Sequence, residues 1–153
     1  MTSPPPASEP VLVSACLLGH ACRHDGGHKR SAELLRELEL RDMQPVPFCP
    51  EEHGGLGTPR PSAWIESADA GSVVDGTDRV VDVDARDVTA AFLRGASGAL
   101  ELCRARGIRR AFLKERSPSC GVACTHVAGL PTDGRGVTAE TLARAGIELE
   151  GVR

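Results

Sequence analysis

The chain has 153 residues, a length that fits one domain with a proper core and needs no disulfide staples. Its net charge of −3 and the absence of basic blocks beyond Lys29-Arg30 and Arg109-Arg110 exclude a nucleic-acid polymer as the expected partner. No segment suits a signal peptide or a membrane span, so we expect a cytoplasmic protein whose six cysteines are thiols or metal ligands before they are disulfides.

The Pro-rich opening, residues 1–10, reads as a disordered tail, and residues 11–153 as a single α/β domain. Residues 11–16, VLVSAC, form a short apolar run of the kind a buried strand uses, and residues 17–29 follow as a loop. Ser31 caps a helix on which Leu34, Leu35 and Leu38 share a face. Residues 44–49 make a second strand. Cys16 and Cys49 stand 33 apart, about one βαβ unit. The string CPEEHGGLGTPRPS is dense in Gly and Pro and reads as an irregular loop. Val73-Val74 and Val80-Val81 flank Asp75-Gly76-Thr77-Asp78 like a hairpin or a short excursion.

The clearest helix spans about 87–106, where Val88, Ala91, Phe92, Gly95, Ala96, Ala99, Leu100 and Cys103 recur at helical spacing before Gly107. A strand at 109–113, a helix at 138–146 and a strand at 147–149 complete the chain. This alternation predicts a Rossmann-like α/β fold, a mostly parallel sheet with helices on both faces.

Cys16, Cys49 and Cys120 each lie at the end of a predicted strand or in the loop just past it. Ligands of open α/β sheets collect at the carboxyl ends of the strands, so three thiols delivered there suggest a shared metal site. Three separately buried cysteines are the plainer alternative. Close CxxC pairs of structural zinc and the tight spacings of ferredoxins are both missing. Three widely spaced thiolates fit a four-iron cluster whose fourth iron has no protein ligand. Cys22 and Cys124, near the other thiols, read either as incidental loop thiols, the commoner case, or as spare or alternative ligands, while Cys103 falls on the apolar stripe of its helix and reads as core.

Glu51 follows Cys49 by two positions, within reach of anything bound there, and suits a general acid or base. On an extended segment its neighbour Glu52 would point to the opposite side. Ser117, Ser119 and Lys114 surround Cys120 in LKERSPSCG.

The strings VSACLLGHACRHDGGHK, PFCPEEHGGLGTPRPS, LKERSPSCG and DGRGVTAETLARAGIE together resemble the thiouracil desulfidase family, in the same order along essentially the whole chain. The resemblance implies removal of sulfur from a thiolated pyrimidine of the 2-thiouracil or 4-thiouracil/thiouridine type, free base or nucleotide. It implies a [4Fe-4S] cluster on Cys16, Cys49 and Cys120, with Glu51 and Ser117 catalytic. The implied reaction is non-redox: a thiocarbonyl would become a carbonyl with release of hydrosulfide. Arg23, Arg60, Lys114 and Ser119 are expected to bind the substrate, the cations on an anionic part.

The chain departs from the family strings at His24, which stands for a tyrosine, and at Trp64, where the family often has a glutamate. The short segment after SPSCG, with Cys124 and His126, is a third departure. These positions would contour the substrate. The alternative from another class is a non-catalytic module that stores or senses iron–sulfur or zinc, with Cys22 or Cys124 as a fourth ligand. The oligomeric state has no signal in the sequence.

Overall fold

The computed structural model describes residues 8–153. Most of the expected tail lies outside the described residues, but Glu9 and Pro10 belong to the first strand, β1 (Glu9–Ser14). A 3₁₀ turn, Ala15–Leu18, follows and ends at Gly19, whose φ of 96° favours a residue without a Cβ. Next come α1 (Ala32–Leu40), β2 (Met43–Phe48), the short α2 (Pro50–His53), β3 (Ala63–Ile65), α3 (Ala70–Asp75) and β4 (Val80–Asp82). The second half holds α4 (Thr89–Arg106), β5 (Arg110–Lys114), β6 (Cys124–Val127), β7 (Leu130–Asp133), α5 (Val137–Arg144) and β8 (Glu148–Val152).

Strands β2-β1-β5-β8 form an all-parallel sheet, with Leu12 opposite Val46 and Ala111, and Phe112 opposite Glu150. Alternation along β1 divides its burden. Val11 and Val13 face Leu34 and Leu38 of α1, with Phe112 beside them. Leu12 faces the opposite way, into a layer with Ala99 and Cys103 of α4 and Ala139 and Leu142 of α5. Helices therefore cover both faces, as the strand–helix alternation predicts. The edge strand β2 carries Pro45 and Pro47 at alternate positions, so one side lacks donors, which an edge strand tolerates.

A second sheet, β4-β3-β6-β7, is mixed: β3 runs antiparallel to β4 and parallel to β6, and β6 antiparallel to β7. It packs Ile65, Val80 and Val127 against Phe92 and Ala96 of α4. Val73 and Val74 are helical rather than part of a hairpin, because Asp69 caps α3 by accepting from the Ser72 amide at 2.7 Å.

The CPEEHGG string is likewise not wholly irregular. Pro50 opens α2, where a missing N–H costs nothing, and Glu51 and Glu52 occupy its first turn. Glycines on α4 let this short helix dock closely. A Cβ on Gly95 would collide with the Pro50 carbonyl, and one on Gly98 with the His53 ring.

Candidate active site and metal centre

The strand order β2-β1-β5 sets three parallel carboxyl ends side by side. Cys16 lies in the 3₁₀ turn past β1, Cys49 directly after β2 as the N-cap of α2, and Cys120 in the loop beyond β5. All three line one cavity of about 600 Å³.

The Cys120 loop is stitched from two directions. At the start of α5, the Val137 amide donates to the Pro118 carbonyl and the Thr138 and Ala139 amides donate to that of Ser119. A Cβ on Gly136 would strike the Ser119 carbonyl, so the approach needs glycine there. On the other side, the Glu115 carboxylate accepts from the amides of Val122 (2.7 Å), Ala123 (3.0 Å) and Cys124 (3.3 Å). It lies in space left open by Gly151 of β8.

Glu51 faces the cavity with its side chain 15% exposed. Its Oε1 lies 3.4 Å from Arg60 Nε, and its Oε2 accepts from Ser119 Oγ at 3.0 Å. Ser119 Oγ lies 3.0 Å from Ser117 Oγ. Ser117 Oγ already accepts from the Ser119 and Cys120 amides, at 3.2 and 3.0 Å. With Ser119 donating to Glu51, the Ser117 hydroxyl donates to Ser119. The result is an oriented chain, Ser117 to Ser119 to Glu51, whose outer end lines the cavity. Ser119 itself is 0% exposed and is an internal link, not the substrate contact expected from the sequence.

Arg23, Arg60 and Lys114 line the cavity. Arg60 is mostly committed to the protein: besides Glu51 it donates to the carbonyls of Cys22 (2.9 Å) and Gly57 (3.2 Å) and to Thr58 Oγ1 (3.0 Å). It orients Glu51 rather than offering a fork to a ligand. Lys29 and Arg116, which sequence reasoning did not single out, join the cationic lining. The crowding shows in Lys114, pulled below the ordinary lysine range by burial and then, against the opposing pull of Cys16, by Arg23, Lys29 and Arg116. His24, Trp64 and His126 also line the cavity. Glu52 is not among the residues lining the cavity; it follows Glu51 in the first turn of α2, helical rather than extended, and accepts from Thr58 Oγ1.

The donor set suits a multi-metal group. Burial pushes the Cys120 thiol up to about 12, and burial together with nearby Cys49 raises Cys16. Ionising these two raised thiols alongside Cys49 calls for cationic charge among them, which bound iron would supply. Ser119 Oγ, whose proton goes to Glu51, lies 3.7 Å from the Cys120 sulfur, and the Ser14 hydroxyl donates toward that sulfur. The Cys22 thiol and then the Glu52 amide do the same for Cys49, holding it below the ordinary thiol range despite burial. Such hydrogen bonds stabilise and tune sulfur ligands.

The three cysteines are not grouped like ligands of one ion. Among the described residues, the only set of three or more candidate ligand atoms all within 4.8 Å of one another is Cys22, Cys49 and Glu52. Cys124 does not line the cavity, and its thiol lies 3.7 Å from the Thr125 carbonyl. Cys103 is buried on α4 in the apolar layer, as its helical position predicts.

Fold and site together define an α/β enzyme with a thiol-lined cavity at the carboxyl edge of its parallel sheet. The family model for 2-thiouracil desulfurase matches residues 11–151, and the chain belongs to that family. It is 42% identical to a solved structure described as the [4Fe-4S]-dependent thiouracil desulfidase TudS, with a TM-score of 0.79, covering 94% of this chain and 90% of that one. It is also 37% identical over 142 residues to the uncharacterized protein YbbK of Bacillus subtilis strain 168, covering 91% of this chain and 93% of that protein. Among the described residues no helix is long and apolar enough to cross a membrane.

Proposed function

We propose that the protein is a cytoplasmic, non-redox desulfidase that converts the thiocarbonyl of a thiolated pyrimidine to a carbonyl and releases hydrosulfide. The observation that carries this reading is the meeting, in one cavity, of three strand-end thiols with a carboxylate wired to two serines. All six cysteines are free thiols, which suits a reducing compartment.

Cys16, Cys49 and Cys120 would hold a [4Fe-4S] cluster. When bound, that cluster supplies an iron without a protein ligand, a Lewis acid for the substrate sulfur.

The chain's own residues do the rest. Glu51, held at one oxygen by Arg60 and at the other by Ser119, takes the proton of the attacking water. Ser117 and Ser119 relay a proton between that carboxylate and the cavity. Trp64 offers an aromatic surface for the planar base. Arg23, Lys29, Lys114 and Arg116 bind an anionic part of the substrate, which favours a thionucleotide over the free base.

The test is anaerobic purification with iron and sulfide analysis, followed by hydrosulfide release from 2-thiouracil, 4-thiouracil and 4-thiouridine 5′-monophosphate. Near-equal iron and sulfide with turnover of at least one substrate is expected. Protein that holds four irons and sulfides yet releases no hydrosulfide from any of them defeats the reading.

A further inference from the structure

Cys22 is outside the three-thiol set, yet it is no stray loop residue. It is 4% exposed, and its carbonyl is pinned by Arg60 Nη2 at 2.9 Å. Cys49 Sγ lies 3.7 Å from that same carbonyl, so the two cysteines face each other across the loop after β1 and the start of α2. Glu52 completes the group from the first turn of α2, its carboxylate oriented by the Thr58 hydroxyl. The two sulfurs and a Glu52 oxygen all lie within 4.8 Å of one another. Zinc bonds of about 2.3 Å to sulfur and about 2.1 Å to oxygen place tetrahedral ligand atoms roughly 3.5–4 Å apart, so small side-chain adjustments close this set on a single ion. Cys16 and Cys120 belong to no such group among the described residues.

We propose that the cluster-free protein binds one soft divalent cation of the zinc class at Cys22, Cys49 and Glu52. The two thiols release their protons to solvent as the metal–sulfur bonds form. Three protein ligands leave the fourth position to water. On the reading that Cys49 also anchors the iron–sulfur cluster, the ion and the cluster exclude one another. A zinc-loaded chain is then a resting form that must lose its ion before it can become the desulfidase.

The experiment titrates cobalt(II), as a spectroscopic substitute for zinc, into the full chain stripped of metal under anaerobic conditions. The parent should take up one cobalt per chain with intense tetrahedral visible bands and a thiolate charge-transfer band. Cys22→Ala and Cys49→Ala should each weaken binding by roughly a hundredfold or more, at least what losing a supporting partner costs a metal site. Glu52→Gln should weaken it by a smaller factor, while Cys16→Ala and Cys120→Ala bind as the parent does. Absence of a tetrahedral one-to-one complex overturns the proposal, as does equal loss in Cys16→Ala and Cys22→Ala.

A second arm preloads zinc and then supplies iron and sulfide. Zinc should suppress iron uptake in the parent and not in Cys22→Ala. Equal suppression in both refutes the exclusion. If Cys22→Ala takes up no iron even without zinc, the three-ligand reading of the cluster fails, while the cobalt pattern still decides the ion site.

Discussion

One part of the cavity lining, a wired wall, is Glu51 held by Arg60 and, through buried Ser119, by Ser117. A second set of lining groups, a cationic wall, is Arg23, Lys29, Lys114 and Arg116, where burial and then the neighbouring cations lower the proton affinity of Lys114. The first wall is organised before any ligand arrives, so on the proposed reading its carboxylate would meet the substrate already oriented, at no reorganisation cost. The second gains from what the ligand brings, because an anionic group relieves the repulsion among its cations. Loss of a group from the first wall should therefore appear in turnover, and loss from the second in substrate affinity.

The largest expected effect comes from the wired wall. Glu51→Gln keeps size and hydrogen bonding but exchanges no proton, so turnover should fall about a hundredfold or more at unchanged iron and sulfide content. Parent-like kcat in iron-matched Glu51→Gln would remove the carboxylate from the proton path. Next comes the cationic wall. Lys114→Met should raise KM for 4-thiouridine 5′-monophosphate by roughly tenfold, the worth of one charge-assisted hydrogen bond, and leave KM for the free base nearly unchanged. Equal effects on both substrates would separate Lys114 from the anionic part.

Smaller again is Gly95→Ala, whose Cβ would meet the Pro50 carbonyl and push α2 away from α4. It should cost about 1–3 kcal/mol in a denaturant titration, with activity falling because Glu51 rides on α2. A variant as stable and active as the parent would show that α2 is not positioned by this contact.

The smallest effect concerns Cys103, whose thiol is raised to about 11 by burial alone. A group raised in the folded state adds stability that is complete below its unfolded value, near 9, and is lost as pH climbs toward the folded value. Melting temperatures between about pH 8 and about pH 10.5 should fall less steeply in Cys103→Ala than in the parent, although the variant starts lower by about 1 kcal/mol for its small cavity. A parallel fall in both would place the alkaline loss elsewhere.

The thiols of this site could be read from sequence because each stands at the end of an apolar run or in the loop past one, and the parallel order of those runs makes chain-distant residues neighbours. Ser31 and Gly107 marked helix ends correctly, as cap residues do. The second sheet was not legible: β3, β6 and β7 have three or four residues each, too few for a period of two to declare itself. Val73 and Val74 read as strand residues by composition, and it is the Asp69 cap that makes them helical. The Pro50 start of α2, followed by two glutamates, was a readable signal hidden by the glycines after it. Nothing in the string SPSC tells which serine turns inward. That depends on α5 and Gly136, which come later in the chain.

The carboxylate of Glu115 has a bearing on timing. It grips the amides that follow the Cys120 loop only where Gly151, on the last strand of the parallel sheet, leaves it room. During synthesis that glycine emerges some thirty residues after Cys120. Cys16 and Cys49 can be brought together on the early β1–β2 pair while translation continues, but the third thiol is not fastened until β8 has left the ribosome. On the proposed reading that these three thiols hold the cluster, iron and sulfide reaching a nascent chain would find only two fastened anchors, which places loading after β8 is made.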